Sequence, residues 1–229
     1  MNDWLFSNDF REVPGHADTD ATVEVPMQLE VLPDGHEALV VGDVDRCRDF
    51  NHLQGDNPFG FKGTCGLVSC EDVLRQFGVE TSEADVVQHA LENGLCNHSG
   101  FDPGEMGGTT VCDQAQILTD FGVPASEAFA ASLDELATHV EEGRGVIIEV
   151  NAGVLWNDAN YYGFGEPNHA IVVTGVARDP DTGHVLGAYI NDSGRGLSED
   201  SGRFVEAATL DAGWMQAGGG CVVTDVVKV

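Results

Sequence analysis

A cysteine attacks a carbonyl carbon as its thiolate, and a histidine within hydrogen-bond reach is the common means of producing one. The 229-residue chain holds six cysteines and eight histidines, and their surroundings separate them. Cys65 follows the Gly-, Asn- and Pro-rich stretch FNHLQGDNPFGFKGT at residues 50–64 and opens the run CGLVSCEDVLRQFG. In that run Leu67, Val68, Val73, Leu74 and Phe77 recur at helical spacing. A thiol at the first turn of a helix feels the positive end of the dipole and the free N–H groups there, which lower its pKa. Gly66, beside it, lets a substrate backbone come close. Cys70 sits inside the same helix on an apolar face and reads as a small buried hydrophobe, as do Cys47, Cys112 and Cys221.

His169 opens the apolar strand HAIVVTGVA directly after the loop YYGFGEPN, whose last residue, Asn168, is placed against the substrate. The other histidines (His16, His36, His52, His89, His98, His139 and His184) fall in the N-terminal stretch, in turns or on expected helices. His169 is therefore the expected base. The next strand, HVLGAYINDSG, stops alternating at Asn191 and Asp192. An antiparallel neighbour brings that end back to the histidine, where an amide or a carboxylate can orient the imidazole. Asp192 is preferred over Asn191. Gln54, eleven residues ahead of Cys65, can offer a side-chain N–H to an oxyanion.

Positioning these residues requires two kinds of texture, and the chain has both. Residues 22–43 alternate like strands around a PDG turn. Helices are expected from Cys65 to a stop at Gly78, from a Ser82/Asp85 capping box to Gly94, from about Cys112 to Phe121, and from a Ser132/Glu135 box to about Gly143. Beyond these, GVIIEV, HAIVVTGVA, HVLGAYIND, RFVEA and CVVTDVVKV are β-branched runs that predict an antiparallel sheet. The fold class is α+β, a helical half followed by a sheet half. Residues 1–45 are assigned to an N-terminal arm or small β element and 46–229 to the catalytic domain.

Composition narrows the partners. Thirty-nine acidic against ten basic residues give a net charge of −29, which repels nucleic acid. No apolar run is long enough for a membrane helix. An acidic surface of this kind serves solubility without any partner, and it also suits high salt or a basic partner such as a cationic substrate or a neutralising protein. Six cysteines in this length are too sparse for a disulfide scaffold. Cys96, His98 and Cys112 lack the paired spacing of a structural zinc site, so neither metal nor other cofactor is expected. The first residues lack the basic start and apolar core of a secretory signal. A cytoplasmic location, or delivery by a specialised secretion machine, is the expectation.

The order cysteine, histidine, Asn/Asp with an upstream glutamine resembles the papain-like superfamily of cysteine peptidases. The closer likeness is to the bacterial bacteriocin-processing, double-glycine-cleaving peptidases with their stand-alone and toxin relatives. It is carried by Gln54, GTCGLVS at 63–69, NHAIVVTGV at 168–176 and YINDSG at 189–194, and spans about residues 50–215. The resemblance implies a cleft between the helical half and the sheet half, and a Cys65–His169–Asp192 triad with Gln54 in the oxyanion hole. It also implies endopeptidase action through a thioester, after glycine, with a toxin's immunity protein as one kind of partner. The same triad serves glutamine deamidases and acyl transferases, and a binding module can keep the cleft without the chemistry.

Overall fold

The computed structural model describes residues 24–228. Of the expected N-terminal arm or β element at 1–45, residues 1–23 lie outside them. Strand β1 (Met27–Val31) and strand β2 (Glu37–Gly42) form a hairpin closed by the PDG turn, where the Gly35 N–H reaches the Leu32 carbonyl at 2.8 Å. A short helix α1 (Val44–Arg48) leads into the loop before α2 (Cys65–Gln76). Helices α3 (Glu83–Asn93) and α4 (Val111–Asp120) follow, then strand β3 (Ala125–Phe129) and helix α5 (Leu133–Glu141). The second half comprises β4 (Arg144–Val150), α6 (Ala152–Leu155), β5 (His169–Arg178), β6 (Val185–Asn191), β7 (Ser201–Glu206), α7 (Ala207–Leu210), a π-helical turn at Asp211–Met215 and β8 (Gly220–Val227).

All eight strands join one antiparallel sheet, with β1-β2-β5-β4-β8-β3 along its main path and β6 and β7 continuing from the other edge of β5. The long strand β5 is shared along one edge. Its first half (His169–Val173) pairs with β4, and its second half (Gly175–Arg178) pairs with β2. At the changeover Gly42 faces Gly175, and a Cβ on Gly42 would lie 2.4 Å from the Thr174 carbonyl oxygen. Only glycine lets the hairpin come that close.

The central strands are buried on both faces, which is why they read as continuous apolar runs. Val146, Ile148 and Val150 of β4 and Ile171 and Val173 of β5 pack with Leu136 and Val140 of α5 and with Trp214. The intervening Ile147, Ala170 and Val172 pack on the other face against Leu67, Cys70, Val73 and Leu74 of α2. The period of two along each strand thus divides two cores, and α2 is held by one of them. Truncating a buried leucine such as Leu74 to alanine costs about 2–5 kcal/mol.

The α+β class and the order of elements match the sequence reading, with differences of detail. The Ser82/Asp85 box forms in full, and Gly94 ends α3 in the left-handed region at φ 70°. Thr110 and Asp113 make a second box that starts α4. At α5, Ser132 accepts the Glu135 N–H, whereas the Glu135 carboxylate takes the N–H of Ala131. Strand β3, ASEAF, lacks β-branched residues and is a strand because β8 supplies its hydrogen bonds. Cys47, Cys70 and Cys221 are buried as expected, but Cys112 is exposed. It lies on the solvent side at the start of α4, which turns Gln114, Ala115, Ile117 and Leu118 inward. All six cysteines are free thiols.

Candidate active site

The N-terminus of α2 differs from a conventional helix start. Its N-cap residue, Thr64, makes no side-chain cap bond, and the first turn has no acidic residue. The Thr64 hydroxyl instead donates to Glu83 Oε1 at 2.8 Å. The first N–H groups of an α-helix lack intrahelical acceptors, and here no side-chain oxygen of the cap competes for them. The Cys65 thiol takes that place, hydrogen-bonded to the backbone N–H groups of Gly66 and Ala170 and to the His169 side chain. Burial pushes the thiol up, but the His169 hydrogen bond and charge, with the two N–H groups, outweigh it and leave the pKa below the ordinary value.

His169 begins β5 and is almost fully buried. Its Nε2 lies 2.8 Å from Asp192 Oδ1, which leaves Nδ1 for the thiol. Burial disfavours the charged imidazolium. Asp192 and Cys65 together reverse this and raise the pKa. The antiparallel register of β5 and β6 pairs Val172 with Asn191 and delivers Asp192 to the histidine. Asp192 is buried and saturated. Oδ1 also accepts the Gly194 N–H at 2.9 Å, and Oδ2 accepts Trp156 Nε1–H at 2.7 Å and an Arg203 N–H at 3.3 Å. Burial would raise its pKa, but the hydrogen bond and charge of His169, with Trp156 and Gly194, hold it well below the usual carboxylate range.

Asn191 points elsewhere. Its Nδ2 donates to the Cys47 carbonyl and to Asp72 Oδ2, both at 2.7 Å, and its Oδ1 accepts the Gly202 N–H. It ties α1, α2 and β7 together behind the site. The choice between neighbouring residues is made by strand alternation, which sends consecutive side chains in opposite directions.

Gln54 lies in the same cleft as Cys65 and His169, a hollow of about 400 Å³. Its N–H bonds to the Ser193 carbonyl at 3.0 Å, its Oε1 accepts the Ser193 hydroxyl, and one side-chain N–H goes to the Lys62 carbonyl at 2.6 Å. Asn168 also lines the cleft and braces its wall, accepting the Ala152 N–H and donating to the Tyr161 carbonyl, both at 2.8 Å. The missing side chain of Gly66 makes room for Thr109 and Gln114, since a Cβ there would lie 2.1 Å from Thr109 Oγ1. Cys96, His98 and Cys112 are not gathered; among the described residues no group of three or more His, Cys, Asp or Glu side chains is arranged to hold a metal.

Three contributors are absent from the sequence reading. Trp156 packs against His169 with ring centroids 5.0 Å apart and the planes tilted by 58°, while holding Asp192, and Arg203 reaches that carboxylate from β7. Glu83, buried at the start of α3, accepts the N–H groups of Gly55 and Asp56, Asn57 Nδ2 and the Thr64 hydroxyl at 2.8–3.1 Å. It pins both ends of the loop that carries Gln54 into α2. An acidic residue in a helix's first turn gives no sign of this in sequence, because its partners lie in a loop far upstream and half of them are backbone groups.

A model of the peptidase C39-like family matches residues 43–222. The chain belongs to that family. It is 29% identical over a 159-residue alignment to uncharacterized proteins of Mycobacterium bovis and Mycobacterium tuberculosis, covering 59% of this chain and 66% of theirs. Among solved structures, a Bacillus anthracis protein described as a C39-like peptidase superposes with a TM-score of 0.50 at 17% identity. That match covers 78% of this chain and 99% of the other, a likeness of fold.

Proposed function

We propose that this family member is a cysteine endopeptidase in which Cys65 attacks the scissile carbonyl, His169 moves the proton and Asp192 orients His169. The observation that carries this reading is the position of His169. It is hydrogen-bonded at once to Asp192 and to a thiol at an uncapped helix N-terminus, and all of this lies within a cleft. The lowered thiol and the raised imidazole both favour a thiolate–imidazolium pair. The thiolate forms the bond to the carbonyl carbon, and the Cys65 backbone N–H and the Gln54 side chain face the developing oxyanion. The imidazolium gives its proton to the leaving amine as the C–N bond breaks. Water, deprotonated by the now neutral His169, then resolves the thioester. Gly63, Gly104 and Gly108 line the cleft and carry no side chain to hold a substrate backbone away, and cleavage after glycine is part of this proposal.

Terminal-labelling proteomics with wild type and Cys65→Ala tests the reading. New peptide termini that depend on Cys65 support it. Side-chain amides converted to acids without new termini would assign a deamidase instead, and identical termini from both proteins would refute a catalytic Cys65.

A further inference from the structure

One wall of the cleft carries polar groups that the triad does not use. Glu149 is flanked in β4 by buried Ile148 and Val150 and is itself half-buried. It stands opposite Ala170, whose N–H faces the Cys65 thiol. From α4, fully buried Gln114 donates through Nε2 to Glu149 Oε1 at 3.0 Å and to Thr109 Oγ1 at 3.1 Å. All three residues line the cleft. The same Gln114 Nε2 and Thr109 Oγ1 occupy the space left by the missing Cβ of Gly66, one residue from the nucleophile.

What this wall lacks is donors. Gln114 Oε1 is buried without a hydrogen-bond partner, and Glu149 Oε2 has no protein donor among the described residues. A buried acceptor without a partner is costly, and a half-buried carboxylate with a single neutral amide partner is costlier still. Burial accordingly raises the Glu149 pKa, the Gln114 hydrogen bond opposes it and the Asp113 charge adds to it. Among the described lining residues no lysine or arginine balances Glu149, and the chain carries a net charge of −29. A group that fits here brings several N–H donors and a positive charge, and offers no acceptors of its own.

We propose that Glu149 and Gln114 form a substrate subsite beside Cys65 that selects a basic side chain, lysine or arginine, near the scissile bond. The inference rests on Cys65 being the nucleophile. The ammonium or guanidinium group replaces the water around Glu149 Oε2 with charge-assisted hydrogen bonds, while Gln114 holds the other carboxylate oxygen. A neutral side chain of the same length leaves that carboxylate desolvated and unpaired, and discrimination comes from that mismatch. A glycine at the scissile carbonyl is compatible with it, because the basic residue then occupies an adjacent position.

The test uses the full chain with peptidyl acyloxymethyl ketones that alkylate an attacking cysteine, differing at one position at a time between lysine, norleucine and glutamate. Intact-protein mass spectrometry reads the labelling rate, and iodoacetamide is the control for thiol reactivity. Wild type should label at least about tenfold faster with lysine than with norleucine at one position, and slowest with glutamate. In Glu149→Gln the lysine-to-norleucine ratio should fall towards one, and in Glu149→Lys the glutamate probe should lead. Fast iodoacetamide labelling of Cys65 with equal rates for lysine and norleucine at every position overturns the subsite and leaves the catalytic reading standing. Absence of fast Cys65 labelling by any reagent overturns both. The wild-type ratio decides the matter even where a Glu149 variant fails to fold.

Discussion

Helices α3, α4 and α5 begin with a serine or threonine whose side chain caps the first turn and with one or two acidic residues in that turn. Helix α2 begins with neither. Caps and carboxylates satisfy the N–H groups and the dipole at a helix start, and each is worth about a kcal/mol. The three ordinary starts use that field for stability. At α2 the N-cap hydroxyl is turned away to Glu83, and the field falls on a thiol. A helix start left without its own anion is available to activate a nucleophile, and the stability forgone locally is recovered where α2 packs on the sheet through Leu67, Val73 and Leu74.

Replacing the anion at the special start has the largest expected effect. Cys65→Ala should lower peptide turnover by a factor on the order of 10⁶ with little change in melting temperature, read in a fluorogenic peptide assay alongside thermal unfolding. A smaller loss, on the order of 10⁴-fold, is expected for Asp192→Asn, which keeps the shape and removes the charge. The sign of its pH effect is fixed. Asp192 raises the His169 pKa, so its loss lets the imidazolium deprotonate at lower pH, and the alkaline limb of the pH–rate profile must move towards neutrality. The acid limb, set by the lowered Cys65 thiol, marks where thiolate is lost as pH falls. An alkaline limb that stays in place would separate His169 from Asp192.

Glu83→Gln tests the link between an ordinary helix start and the special one. An amide in place of the carboxylate turns an NH₂ group towards the donors of the 54–64 loop, at a cost of about 1–3 kcal/mol in urea unfolding. Turnover should fall more than the population of folded protein, because the loop positions Gln54 and Thr64. The smallest effect belongs to Ser82→Ala at α3, which removes an ordinary cap. Stability should drop by about 1 kcal/mol while the iodoacetamide rate at Cys65 stays unchanged. If the Ser82 variant slows Cys65 labelling, the two kinds of helix start are not independent.

How much of this was legible in the chain follows from the range of each interaction. The start of α2 is written in consecutive residues: a loop rich in Gly and Asn, then a cysteine, then apolar residues at helical spacing. The capping residues of α3 and α5 are equally local, as are the β-branched runs of β4, β5 and β8. Asp192 was reachable by one further step, the antiparallel return of β6 along β5. Strand β3, α1 and α6 were not legible, because ASEAF becomes a strand only through β8, and helices of four or five residues depend on their surroundings.

Sequence by itself therefore determined the setting of Cys65, the α+β class and the strand that presents His169. These rest on propensity, periodicity and dipole, which act over a few residues. Tertiary structure decided the rest. It turned Asp192 towards His169 and Asn191 away, brought Trp156 and Arg203 onto one carboxylate, and sent Glu83 to hold a loop more than twenty residues upstream. It also placed Glu149 and Gln114 side by side, 35 positions apart in the chain, on a wall next to Cys65. In each case the partner is a hydrogen-bonding group made near only by packing, and residue type alone does not say which of many polar groups that will be.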